Sequence, residues 1–114
     1  MPDYRRDLSK AVCEGLLDKG SHKSVPSIRD TAVIRYSNEV HIKYHSTSVA
    51  VFLSDGDIWL NSGGWRTTTT KRRINAALNG TGWRVWQDGG VWYIGKVSEN
   101  VKYTFTDGMQ VASE

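Results

Sequence analysis

The residues best suited to chemistry lie between Leu60 and Arg84. Ser62-Gly63-Gly64-Trp65-Arg66 reads as a loop, followed by four consecutive threonines and Lys71-Arg72-Arg73. A glycine pair lets a ligand or another backbone approach closely. A helix starting among the threonines would aim free N–H groups and the positive end of its dipole at that loop, which is how helix starts hold phosphate. The hydroxyls of Thr67 and Thr68 add donors, Arg66 offers a planar fork for phosphate or carboxylate, and Trp65 offers a face for a base. Residues 61–84 include Arg66, Lys71, Arg72, Arg73 and Arg84 and no acid. The chain of 114 residues carries a formal +3, so the +5 of this stretch leaves −2 for the rest. The positive charge is local, and it marks an anionic partner such as nucleic acid or a nucleotide. The competing reading puts Trp65 in a core corner, makes Gly63-Gly64 an ordinary turn, and leaves the cations on a solvated helix face.

Other constellations are weaker. A phosphate-cradling loop of the nucleotide-hydrolase kind needs its lysine directly after the glycine run, and here the order is wrong. His41 and His45 share a strand face with Lys43 between them, but strand rise sets the two histidines roughly 13 Å apart. That separation is too long for two ligands of one metal ion, so no metal or cofactor is expected. One of these histidines acting with Lys43 or Arg66 would suit a small nuclease, against the plainer reading of a polar strand face. No set of nucleophile, base and orienting group can be assembled, so no catalytic residue is assigned. Cys13 sits on an apolar helix stripe and reads as a buried thiol. Trp83, Arg84, Val85 and Trp86 alternate along one strand of a hairpin. Arg84 and Trp86 then share a face, which is either covered or an aromatic platform for single-stranded nucleic acid.

These groups need a scaffold. Apolar residues make up 39% of the chain, which supports a packed core. No apolar run is long enough to span a membrane, no leader pattern opens the chain, and one cysteine excludes a disulfide framework. A cytoplasmic protein of one domain, residues 1–114, is expected. Leu8, Val12 and Leu16 recur at four-residue spacing and predict a helix over about 5–19, capped by Asp3 and stopped by Gly20. Residues 20–27 read as a polar linker. From Thr31 the period changes to two, predicting strands Thr31–Tyr36, Glu39–His45, Thr47–Leu53 and Asp57–Asn61. A helix over about 68–78 follows, capped by a threonine and ended by Asn79-Gly80. Strands at Trp83–Gln87, Val91–Lys96 and Val101–Thr106 and a short edge at Met109–Val111 complete a β-rich body over 31–111. The predicted class is α+β: a mainly antiparallel sheet of two hairpin layers, with an N-terminal and a mid-chain helix.

Three stretches then bear on origin. Tyr44-His45-Ser46-Thr47-Ser48-Val49, Leu60-Asn61-Ser62-Gly63-Gly64-Trp65-Arg66-Thr67, and Thr69-Thr70 with Arg73-Ile74-Asn75 together resemble a small family of tailed-phage and prophage proteins. The Trp92-Tyr93 pair of a later hairpin is also similar, so the likeness covers roughly residues 40–95. It implies a phage origin and a set of positions, and no mechanism. The expectation is therefore a phage-type accessory protein that binds nucleic acid or a phosphate ligand. A module that binds and inhibits a host defence or transcription protein is the alternative, and the nuclease comes third.

Overall fold

Alternating β-branched and aromatic residues make strands almost everywhere the period of two was read. The computed structural model describes residues 3–113. In chain order its elements are helix α1 (Lys10–Leu17), strands β1 (His22–Ser24), β2 (Thr31–Tyr36), β3 (Glu39–Tyr44), β4 (Thr47–Phe52) and β5 (Asp57–Leu60), helix α2 (Thr68–Ala77), then strands β6 (Trp83–Asp88), β7 (Val91–Lys96), β8 (Val101–Thr104) and β9 (Met109–Ala112). A 3-10 turn at Val97–Glu99 joins β7 to β8. One antiparallel sheet runs β1-β2-β3-β4-β5-β9 and a second runs β6-β7-β8. The α+β class with β dominant holds, with α2 lying between the two hairpin layers in sequence.

Three expectations change. The first helix is shorter than 5–19, spanning Lys10–Leu17. Asp3 caps a separate turn instead: its carbonyl accepts from the N–H groups of Arg6 and Asp7, and its carboxylate from that of Arg5. The chain then passes through an extended Ser9 before the helix begins. At the other end Asp18, not Gly20, takes the positive φ of 52°, because a short polar side chain tolerates that conformation. The polar linker at 20–27 contains β1, an exposed strand at the sheet edge paired to β2. With neither face buried, it carries no apolar alternation to read. Finally, the short edge expected at Met109–Val111 is β9, which returns to pair with β5 in the first sheet.

One continuous core joins these parts. Val33, Ile42, Val49, Ile58 and Leu60 from the first sheet meet Leu8 and Cys13, then Ile74 and Leu78 around α2, then Val85, Trp92 and Ile94 of the second sheet. Burying each such aliphatic side chain is worth about 1.5–3 kcal/mol. Burial pushes the Cys13 thiol up to about 12, and the nearby Asp7 and Glu14 add to the shift. Two clamps position α2. The Asn75 amide donates to the Val85 carbonyl at 2.9 Å and accepts from the Val85 N–H at 2.8 Å. At the other end, the Leu8 N–H donates to the Ala76 carbonyl at 2.9 Å. The Trp83 indole donates to Ala112 at 2.9 Å and ties β6 to β9.

Candidate functional site

Two loops and a helix start form a cleft of about 310 Å³. Its walls are Tyr44, His45 and Trp65, with Ser46, Thr47, Ser62, Thr67 and Thr70 also lining it. Val49 forms part of the lining because of a bulge. Ile42 pairs with Ala50 and Lys43 with Ser48, which leaves Val49 without a partner across the β3–β4 ladder. A bulge turns the strand and re-aims its side chains next to such sites. The turn after β3 is held by the His45 N–H, which donates to Asp30 at 2.7 Å, and His45 itself sits at a φ of 54°. Its ring stacks at 4.3 Å from Tyr44 and its Nδ1 lies 3.8 Å from Asp30.

The Gly-Gly-Trp loop is pinned from far along the chain. The buried Ser62 donates its N–H and its hydroxyl to Asp107 Oδ1 at 2.7 and 2.8 Å. Its hydroxyl also accepts from the Gly64 N–H at 3.2 Å. Gly63 holds a φ of 64° and packs so tightly that a Cβ there would lie 2.7 Å from the Thr47 hydroxyl. Only glycine meets both demands without strain. Trp65 then projects from the loop with 67% of its surface exposed. Trp65 is therefore not a core residue, against the reading that placed it in a core corner. Thr67 caps α2, its hydroxyl accepting from the Thr70 N–H at 3.2 Å. In a helix start the next N–H groups, here Thr68 and Thr69, have no acceptor within the helix.

The basic run separates once it is folded. Arg66 does not reach into the cleft as a free fork. Its guanidinium lies 3.8 Å from Asp107 and about 5 Å above the rings of Trp92 and Phe105. Burial alone would raise the Asp107 carboxyl, but the Ser62 N–H and hydroxyl, the Arg66 charge and the Gly64 N–H outweigh it and hold it below the usual range. Arg73 leaves the surface altogether: it is 8% exposed, donates from Nε to Thr31 at 3.1 Å and lies 5.6 Å from the Tyr44 ring centre. Burial, with smaller contributions from Arg5 and Arg72, lowers its pKa, against an upward push from Tyr44. Lys71 donates to Gln87 at 3.4 Å and sits over Trp92. Arg72 and Arg84 stay exposed and line a different, open groove.

The histidines also part. Nδ1 of His41 lies 3.0 Å from the Ser48 hydroxyl and its Nε2 lies 3.2 Å from Glu39. With both nitrogens engaged, it is poorly placed for proton transfer to a ligand. Lys43 borders a shallow groove beside β1 and shares with His45 a place on its rim. Trp86 is half-buried on the outer face of β6 beside Arg84, and Trp83 is half-buried with its indole N–H bonded. Among the described residues no cluster of three or more His, Cys, Asp or Glu could hold a metal ion, and no helix is long and apolar enough to cross a membrane.

Sequence reading missed Asp107, Arg5 and Arg6. Asp107 looked like the first residue of an ordinary Asp-Gly turn, and its partner lies 45 positions away. Arg5 and Arg6 looked like the first turn of a helix.

Among protein families, the Kyanoviridae Gp96 protein model matches residues 5–112. The likeness is therefore wider than residues 40–95 and takes in the N-terminal helix and the last strand. No curated protein and no solved structure matches the chain.

Proposed function

The chain belongs to the Kyanoviridae Gp96 protein family, a family of phage proteins, and from that premise we propose that it is an accessory protein that binds nucleic acid. The cleft between Trp65, Tyr44 and His45 takes an unpaired base, with the hydroxyls of Ser46 and Thr47 beside it to bond the base edge or the sugar. The observation that carries this reading is Trp65 itself. A large aromatic residue stands 67% exposed on a loop whose position is fixed by a buried serine, an aspartate and a glycine packed against Thr47. Exposed rings on rigid supports are the usual platform for single-stranded nucleic acid, where each stacked base is worth about 1–3 kcal/mol.

Phosphate binding at the cleft has narrower support than the sequence implied. Arg66 is held by Asp107 and Arg73 is buried, so the loop's own contribution is stacking and hydroxyl contacts, with the exposed Thr68 N–H at the helix start. Inhibition of a host protein would call for one contiguous exposed apolar patch, whereas the exposed large apolar residues Tyr36, Trp65, Val91 and Tyr103 lie on four different segments. A nuclease built on His41 is disfavoured by that residue's two hydrogen bonds.

The test is a titration of the protein with short single-stranded oligonucleotides while tryptophan emission is followed. The expected result is quenching that disappears in Trp65→Phe. Emission unmoved by any oligonucleotide would overturn the proposal.

A further inference from the structure

A second surface lies on the far side of α2. Arg5 and Arg6 from the N-terminal turn, Arg72 from α2 and Arg84 from β6 converge on an open groove of about 750 Å³. Three separate segments supply these four guanidinium groups, and the fold holds each one in place. The Leu8 N–H bond to Ala76 docks the N-terminal turn on α2, and the paired Asn75 bonds to Val85 set α2 in register with β6. Among the described residues the one acid lining the groove is Asp3, whose carboxylate lies 3.7 Å from Arg6 on an exposed edge. Like charges brought together destabilise a folded protein unless an anion relieves them.

Arg84 also belongs to the next surface. In the β6-β7-β8 register Arg84 lies opposite Gly95, which lies opposite Lys102, and Trp86 lies opposite Tyr93. These residues share the outer face of the sheet, away from the buried Val85 and Ile94. Trp86 packs against Gly95, where a Cβ would come within 3.0 Å of the indole and would collide with the Val101 carbonyl. Lys102 sits 4.1 Å from the centre of the Tyr93 ring, which keeps a cation on the same face. Arg84 therefore links the groove to a sheet face that also carries the rings of Trp86 and Tyr93 and a second cation, Lys102.

We propose that this groove and sheet face form a second contact surface for single-stranded nucleic acid, in which Arg5, Arg6, Arg72 and Arg84 take backbone phosphates and Trp86 takes a stacked base. The inference deepens the cleft reading, because it makes the partner a strand of several nucleotides rather than a mononucleotide. Charge supports phosphate, and the adjoining ring distinguishes a nucleic acid from an acidic protein segment.

The experiment measures anisotropy of a labelled oligothymidylate of about a dozen nucleotides across a salt series, with unfolding curves as a control. Arg5→Ala with Arg72→Ala should weaken binding about tenfold and flatten the slope of log affinity against log salt by roughly 0.7 per arginine. Trp86→Leu keeps an apolar side chain on this face, loses the ring, and should weaken binding about tenfold with the slope unchanged. Trp65→Ala should weaken binding and leave the slope unchanged, so it reports on the cleft alone. If Trp65→Ala weakens binding while the arginine variant keeps the full slope, the groove inference is overturned and the cleft reading survives. If the slope flattens while Trp65→Ala has no effect, the groove stands without the cleft. Failure of the unaltered protein to bind the oligonucleotide overturns both. Displacement of the oligonucleotide by polyglutamate at equal charge would overturn the groove's assignment to nucleic acid, and no effect of Trp86→Leu would overturn its stacking part.

Discussion

Arg72 and Arg73 are neighbours in sequence and opposites in the fold. Arg72 is exposed on the outer face of α2, in a groove with three other arginines, whereas Arg73 is buried against Thr31 and Tyr44. One residue along a helix turns a side chain by about 100°, enough to move it from solvent to core. The same split divides the two candidate surfaces. The cleft at Trp65 is built of rings and hydroxyls around a pinned loop, with its nearest arginine tied to Asp107. The groove beyond α2 is built of charge. A run of cations in a sequence is thus two different things in space: part of it holds the fold together, and part of it is available to a partner.

The sharpest way to break this contrast is to remove each arginine in turn. Arg73→Ala should cost about 2–3 kcal/mol, because it empties a buried site and strips Thr31 of its bond. Arg72→Ala should change stability by less than about 0.5 kcal/mol, as surface substitutions usually do. Urea unfolding of the two variants measures both, and equal losses would erase the distinction.

Gly63→Ala should come next, at about 2 kcal/mol, combining an unfavourable left-handed φ with the contact to Thr47. Adding Thr47→Ala should recover part of that loss, because it removes the atoms the new methyl meets. A double-mutant cycle with no coupling would show that the loop and the turn after β3 do not meet as described.

The smallest effect concerns Asp107. Its folded-state pKa is depressed, so the stability it contributes is complete above the unfolded-state value of about 3.9 and is lost as pH falls through the lower folded value. Asp107→Asn should therefore flatten the acid limb of stability against pH below about pH 4, and the groove should be unaffected. An unchanged acid limb would mean the aspartate does not hold the loop.

Much of the fold was legible because its signals are local. The threonine cap, the change of period at Thr31 and the Asp-Gly turns each act within a few residues. The Gly-Gly-Trp loop was legible as a site for the same reason, since its residue types are unusual at that spacing. What could not be read depends on distance. The strand at His22–Ser24 has no buried face to leave a pattern. The pairing of β9 with β5 joins segments about 50 residues apart, with the second sheet between them in sequence. The fates of Arg66 and Arg73 are fixed by Asp107 and by Thr31, each about 40 positions away in sequence. The early turn that carries Arg5 and Arg6 finds α2 only through a backbone bond from Leu8.

The bond between Ser62 and Asp107 also sets a schedule. On a chain made from its N-terminus, every other wall of the cleft is synthesised before its anchor, and Asp107 emerges only when β9 is about to follow. The Gly-Gly-Trp loop therefore waits, unpinned, while the second sheet is made. The cleft's geometry is complete only once Asp107 has reached Ser62, just ahead of the strand that pairs with β5, so a prematurely released chain would carry Trp65 on an unpinned loop.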